Sequence, residues 1–261
     1  MIARPSHCLA RLLGWMALGL AALLLGVLDV APAAAQQNQP IYPAYDGFWK
    51  NPDGSYTVAF AYFSHNAETV TVPAGTANAF APAPGDRQQP TVFKPGHWRF
   101  QCVMVVGPEF DGKMVWTLSY AGTTTSTSQH MLQSNWYLVE GAEEVKKIDY
   151  AKVKRGVCLN RAPVVRVLGT VGRGENAKLA PVASVGEQYS LFGSVNDEGL
   201  PRGRTIVTGW KQVSGPGTAK FQDAAVARTH VSFPAPGEYV LELTASDSEL
   251  SSSARVEVTV K

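Results

Sequence analysis

The chain is poor in the residues from which reactive centres are built. It has three cysteines and five histidines in 261 residues, and no Cys-x-x-Cys pair. His65, His97, His130 and His230 stand too far apart in sequence for any two to form a local zinc-ligand pair, which argues against a zinc centre. There is no Gly-x-Ser-x-Gly, and Ser214 lies in a turn segment with no histidine beside it, so a nucleophilic serine is not expected. Charge is sparse and balanced, with 23 Lys and Arg against 21 Asp and Glu. That leaves no basic footprint for nucleic acid. Beyond the N-terminus no helical periodicity is sustained over a helix length. Glycine (24) and proline (17) are instead spread along the chain, the composition of an all-β protein with many turns.

The N-terminus reads as an export signal. Arg4 and Arg11 make a basic start, residues 12–28 are apolar, and Ala33-Ala34-Ala35 offers the small residues a signal peptidase requires. The expectation is a cleaved signal peptide over residues 1–35 and a periplasmic, secreted or cell-surface protein with no membrane span left after cleavage. The competing reading is an uncleaved anchor, but the run is near the lower limit for spanning. Cys8 precedes the apolar run and so is not a lipid-attachment cysteine.

Cleavage would leave about 226 residues, enough for two domains. It would also leave two cysteines, Cys102 and Cys158. In an oxidising compartment these suggest one disulfide, worth about 3–4 kcal/mol on the chain-entropy account; two buried free thiols are the alternative.

Residues 36–44 are a polar, proline-containing lead-in expected to be mobile. A first β domain is expected over residues 45–139. Asn51-Pro52-Asp53-Gly54 is a turn by chemistry, and Tyr56, Val58, Phe60 and Tyr62 alternate with smaller residues after it, as in a hairpin. Residues 97–106 and 114–120 alternate in the same way, as half-buried strands do. Residues 68–72 form a short strand, residues 74–90 an irregular surface loop, and residues 123–128 an edge strand or a loop. Residues 140–161, with Lys146, Lys147, Lys152, Lys154 and Arg155, read as an interdomain linker with a solvated basic face. A Cys102–Cys158 bridge would pin its end to the first domain.

The second domain is expected over residues 162–261, with strands at 164–168, 189–195, 205–213, 227–233, 237–246 and 252–260. In the fifth, Tyr239, Leu241, Leu243 and Ala245 share one face, and Val240, Glu242, Thr244 and Ser246 the other. Six or seven short strands at this spacing fit an immunoglobulin-like sandwich. Four segments then carry a family resemblance. They are Asn160-Arg161-Ala162-Pro163, Asn196-Asp197-Glu198-Gly199-Leu200-Pro201, the Trp-x-x-x-Ser-Gly-Pro-Gly stretch at 210–217, and Gly-x-Tyr-x-Leu-x-Leu-x-Ala-x-Asp at 237–247. Together they resemble a PKD-like (polycystic-kidney-disease-type) or related immunoglobulin-like module of bacterial exported proteins. The resemblance implies a β-sandwich of the spacer or protein- and glycan-contacting kind, not a catalyst. It also implies that Trp210 is the buried strand tryptophan. The first domain, through Tyr45-Asp46-Gly47-Phe48-Trp49-Lys50-Asn51-Pro52-Asp53-Gly54, is similar to a module of uncharacterised exported bacterial proteins, which implies no activity.

Three sites are open to functional readings. Tyr45, Phe48 and Trp49 sit among crowded aromatics, and an exposed platform there could stack on a sugar or anchor a protein. Asp197, Glu198 and Asp247 could gather at one end of the sandwich and hold Ca²⁺, although Asp also simply caps turns. Gly-x-Gly-x-x-Ala at 172–177 lacks the helix that a nucleotide site needs. The expected function is therefore non-catalytic: an interaction or adaptor protein contacting an envelope or cell-surface protein, with glycan binding second and a hydrolase last.

Overall fold

The computed structural model describes residues 38–128, 130–138, 148–168 and 182–261. The expected signal peptide, Lys146 and Lys147 of the basic stretch, and the 172–177 glycine motif lie outside the described residues.

Among the described residues the first half contains eight strands: β1 (Ile41–Lys50), β2 (Tyr56–Ser64), β3 (Val70–Thr71), β4 (Asn78–Ala81), β5 (Val92–Phe93), β6 (Gly96–Val106), β7 (Val115–Tyr120) and β8 (Thr123–Ser126). A 3-10 turn follows at Ser134–Trp136. The strands form sheets ordered β1-β2-β6 and β4-β7-β8, with β3-β5 as a small pair. The hairpin at residues 51–54 closes by its own side chains. Asp53 Oδ1 accepts from Ser55 N (3.0 Å), Asn51 Nδ2 donates to Ser55 Oγ (2.9 Å), and Gly54 takes a φ of 84°. β1 begins earlier than expected: residues 41–44 are paired strand, with Ile41 opposite Ser64, and are not part of a mobile lead-in.

The core between the sheets is aromatic. Trp116 stacks on Phe80 at 5.6 Å, and Phe60 meets Phe80 edge-on at 5.1 Å. Two expectations fail here, for one reason. β2 and the second half of β6 are not half-buried; Thr57, Ala59, Ala61 and all of residues 101–106 are buried. Trp49, Phe100, Leu138 and Ile148 cover Ala59 and Val103 on the second face. Residues 74–90 are likewise not a plain surface loop: they contain β4, which pairs with β7. Asn78 lies at the centre of a buried polar network. Its Nδ2 donates to the carbonyls of Val72 (3.0 Å) and Pro90 (2.8 Å), and its Oδ1 accepts from Trp116 Nε1 (2.9 Å). Gln89 Nε2 donates to the Asn78 carbonyl, and Gln89 Oε1 accepts from Arg87 N. Buried polar side chains need such partners, and local patterning does not reveal them.

The end of the expected linker is part of this domain. Cys158 is bonded to Cys102, 56 residues away in sequence. Gly156 N donates to the Val105 carbonyl and Leu159 N to that of Val103, so residues 156–159 run along the free edge of β6 and satisfy it.

The second half contains β9 (Val164–Leu168), β10 (Val182–Ala183), β11 (Tyr189–Asn196), β12 (Val207–Ser214), β13 (Lys220–Phe221), β14 (Arg228–Ser232), β15 (Gly237–Ser246) and β16 (Ser251–Val260). They form two sheets, β10-β16-β15-β12 and β13-β14-β11-β9, closed over a core that includes Trp210, Tyr239, Leu241 and Leu243. All six expected strands are present, and β10 and β13 are the two-residue additions. The Ser-Gly-Pro-Gly stretch has a packing reason. Gly215 has a φ of 151°, and a Cβ there would lie 2.3 Å from Tyr239 Cδ1.

On the outer face of β15, Glu242 is held between Lys211 Nζ (2.7 Å) and Arg255 Nε (2.8 Å). These two hydrogen-bonded cations lower its carboxyl to about 2 from 4.5. A carboxylate with a lowered folded-state pKa contributes stability above its unfolded pKa and loses it as pH falls toward the folded value. Acid unfolding of the wild type should therefore steepen between pH 4.5 and about 2, and Glu242→Gln should flatten that part of the curve. The effect is modest, because Lys211 and Arg255 are each 62% exposed. Superimposable acid titrations of the two proteins would refute the assignment.

Candidate functional site

Gln37–Lys261 form one unit, and the joint between the two β domains is built from a local irregularity. β1 and β6 each shift register around residues 45–47 and 99–101. Asp46 fixes both, accepting from Arg99 Nε (2.7 Å) and Phe100 N (2.6 Å). Phe100 has a φ of 54°, and its carbonyl accepts from Arg161 Nη2. Arg161 in turn binds Glu198, through its backbone N to Oε1 (2.6 Å) and its Nη2 to Oε2 (3.2 Å). Leu200 packs into the first domain's core. Arg202 forks onto Asp86 at 2.8 and 2.9 Å and donates to the Gln89 carbonyl, the bidentate geometry that orients as well as attracts. Arg99, Phe100, Arg161, Arg166, Asp197 and Glu198 are among the residues that line a shallow cleft at this joint.

The expected Ca²⁺ carboxylates separate here into two kinds. Glu198 is buried against Arg161; burial raises its carboxyl to about 7 although the Arg161 charge opposes this. It is the partner of a cation and is not a free ligand. Among the described residues no three His, Cys, Asp or Glu side chains converge to hold a metal, so the set Asp197, Glu198 and Asp247 is not assembled. Asp197 and Asp247 do share one environment. Burial raises the Asp197 carboxyl, and the charge of Asp247 raises it further. Each uses one oxygen locally: Asp197 Oδ1 accepts from Gly199 N, and Asp247 Oδ1 from Glu249 N and Leu250 N.

The expected aromatic platform is corrected. Tyr45 and Phe48 are core residues, 6% and 7% exposed. Tyr45 packs on Phe60 and Trp136, and Phe48 on Tyr56 and Tyr137. Trp49 points to the opposite face and stacks on Tyr137 at 5.3 Å. The 3-10 turn and the segment after it, far along the chain, bring Trp136 and Tyr137 over these rings. The aromatic surface lies elsewhere, at the uncovered end of the β1-β2-β6 face. Strand pairing sets Tyr42 opposite Phe63 and Phe63 opposite His97. His65 joins them, 4.4 Å from Phe63 and 5.6 Å from Tyr42. Tyr42 is 41% exposed. Tyr42 and Phe63 belong to the aromatic crowd visible in the sequence, and His65 follows Phe63 by two residues, but only the register brings His97 beside them.

Similar solved structures include the PKD domain from the protein KIAA 1837, 22% identical over 36% of this chain and 92% of that one, TM-score 0.23. The fibronectin(III)-like modules of Clostridium thermocellum CbhA are 10% identical over 84% of this chain and 94% of that one, TM-score 0.26. The D00-D0 domain of intimin is 8% identical over 84% of this chain and 100% of that one, TM-score 0.29. Residues 180–260 match the family model described as K319L-like, PKD domain. Residues 180–260, within the second β-sandwich, thus match a PKD-like domain.

Proposed function

We propose that this is a non-catalytic interaction protein of the bacterial envelope, exported to the periplasm or cell surface. In this reading it docks a protein partner on the Tyr42, Phe63, His65 and His97 surface. The observation that carries the reading is the ring geometry. The rings meet at 85° (Tyr42–His65), 69° (Phe63–His65) and 50° (Phe63–His97). Edge-on and tilted rings make a rough amphipathic patch suited to protein side chains. Stacking on a sugar needs an open ring face, and Trp49, the ring expected to provide one, is stacked on Tyr137. The fixed joint supports an adaptor, because Arg161, Leu200 and Arg202 hold the second sandwich to the domain that bears the patch.

The variant Phe63→Ala should keep its fold and lose about 10-fold or more in capture of an envelope protein. Val213→Ala, at an exposed position of the second domain, should capture it as the wild type does. Glycan-array binding that disappears in Trp49→Ala would favour sugar recognition and contradict the proposal.

A further inference from the structure

One face of the second sandwich carries charge and apolar surface that its own residues leave unmatched. In the sheet β13-β14-β11-β9 the alternation of burial turns Arg166 and Leu168 of β9, Phe192 and Ser194 of β11, and Arg228 and His230 of β14 outward. The register sets them in rows. Phe192 lies between Leu168 on one side and Arg228 on the other, and Ser194 lies opposite Arg166. Leu168 is 64% exposed and Phe192 50%, so two large apolar side chains stand side by side in water. Single exposed apolar residues are ordinary, whereas adjoining ones point to a contact surface.

The charge on this face is of one sign. The four strands contain no Asp or Glu. Arg166, Lys220 and Arg228 are exposed, and among the described residues none of them is paired with a carboxylate. The opposite sheet is different. Its outer face carries Glu238, Glu242 and Glu257 as well as Lys211 and Arg255, and both of those cations are on Glu242. Toward the joint the basic face continues, because Arg166 and Ser194 also line the cleft that holds Arg99 and Arg161. The carboxylates of that cleft, Asp197 and Glu198, are buried, and Glu198 is already on Arg161.

We propose that the outer face of β13-β14-β11-β9 docks an acidic protein segment. An apolar side chain of the partner covers Leu168 and Phe192, and its carboxylates meet Arg166, Arg228 and Lys220. Charge complementarity selects this occupant and fixes how it lies on the face. A second copy joined through a two-fold axis fits poorly, because it would set Arg166 and Arg228 against their own equivalents. A bilayer fits poorly too: the apolar pair lies within a sheet face beside Ser190, Ser194 and His230, and not at a projecting loop tip. This face belongs to the second sandwich, so its occupation is independent of the ring patch on the first domain.

The probe is a labelled synthetic peptide in which leucines stand among glutamates, and fluorescence anisotropy reads its binding to the exported protein at low and at physiological salt. Binding should weaken as salt rises, because exposed charges are screened. Phe192→Thr, which keeps strand propensity, should weaken it about 10-fold. Arg166→Ala/Arg228→Ala should weaken it by a similar factor and flatten the salt dependence. Val207→Thr, at an exposed position of the opposite sheet, should bind as the wild type does. The same peptide with lysine for glutamate, or with serine for leucine, should not bind. No binding of the first peptide, binding that survives in Phe192→Thr, or equal binding of the serine peptide would overturn the docking face. So would attachment to phosphatidylglycerol vesicles, or self-association of the wild type, that these same variants abolish, since the occupant would then be a membrane or a second copy.

Discussion

The double variant Cys102→Ala/Cys158→Ala should lose about 3–4 kcal/mol of stability. The bond closes a loop of 56 residues, and most of its contribution is the restriction of the unfolded chain. The loss should also have a location. The bridge holds residues 156–159 on the edge of β6, and Arg87 Nη1 donates to the Gly156 carbonyl from the same side. Asn160 and Arg161 follow at once and begin the joint. Without the bridge this edge should open first. Hydrogen exchange at the amides of Gly156 and Leu159 should accelerate before that of Leu241 or Leu243 in the second core. Urea unfolding gives the magnitude. A midpoint unchanged from the wild type, or faster exchange throughout β15, would show that the bridge does not hold the joint.

Replacing Asn78 should cost at least as much. Asn78→Ala leaves the Trp116 indole N–H and the carbonyls of Val72 and Pro90 without partners in a fully buried site. Each such group costs about 1–3 kcal/mol, so a loss of about 3 kcal/mol or more is expected. Asn78→Asp separates the parts of the effect: it keeps an acceptor for Trp116 but removes both donors and adds a buried charge. It should be no more stable than the alanine variant, and its deficit should shrink as pH falls and the carboxyl takes a proton. Chemical denaturation followed by tryptophan fluorescence reads both. An Asn78→Ala protein within about 0.5 kcal/mol of wild type, the range of ordinary surface substitutions, would mean that the network is not structural.

The parts of the fold that were legible in the sequence are those whose burial is one-sided. β15 alternates because water lies on its outer face, where even Glu242 is bracketed by cations. The Asn51–Gly54 turn was legible because its bonds are local. β2 was only half legible: small residues such as Ala59 and Ala61 resemble an outward face, and what covers that face comes from distant parts of the chain, Leu138 and Ile148 among them. Asn78, Arg87 and Gln89 look like loop polarity until their partners are known. The candidate sites show the same division. Asp197 and Asp247 could be suspected from turn chemistry, but the pairing of Glu198 with Arg161 depends on tertiary placement. The burial of Tyr45 and Phe48 is not legible locally, because Trp136 and Tyr137, which pack on them, lie about ninety residues further on.

The most direct test of the proposed role is photo-crosslinking in cells, with a photoreactive residue at position 63 and a control at position 213. Phe63 is half-buried, and position 213 is exposed on the other domain. Docking through the Tyr42, Phe63 and His97 face should give a discrete protein adduct at position 63 and none at position 213. No protein adduct at 63, or the same adducts at both positions, would contradict it.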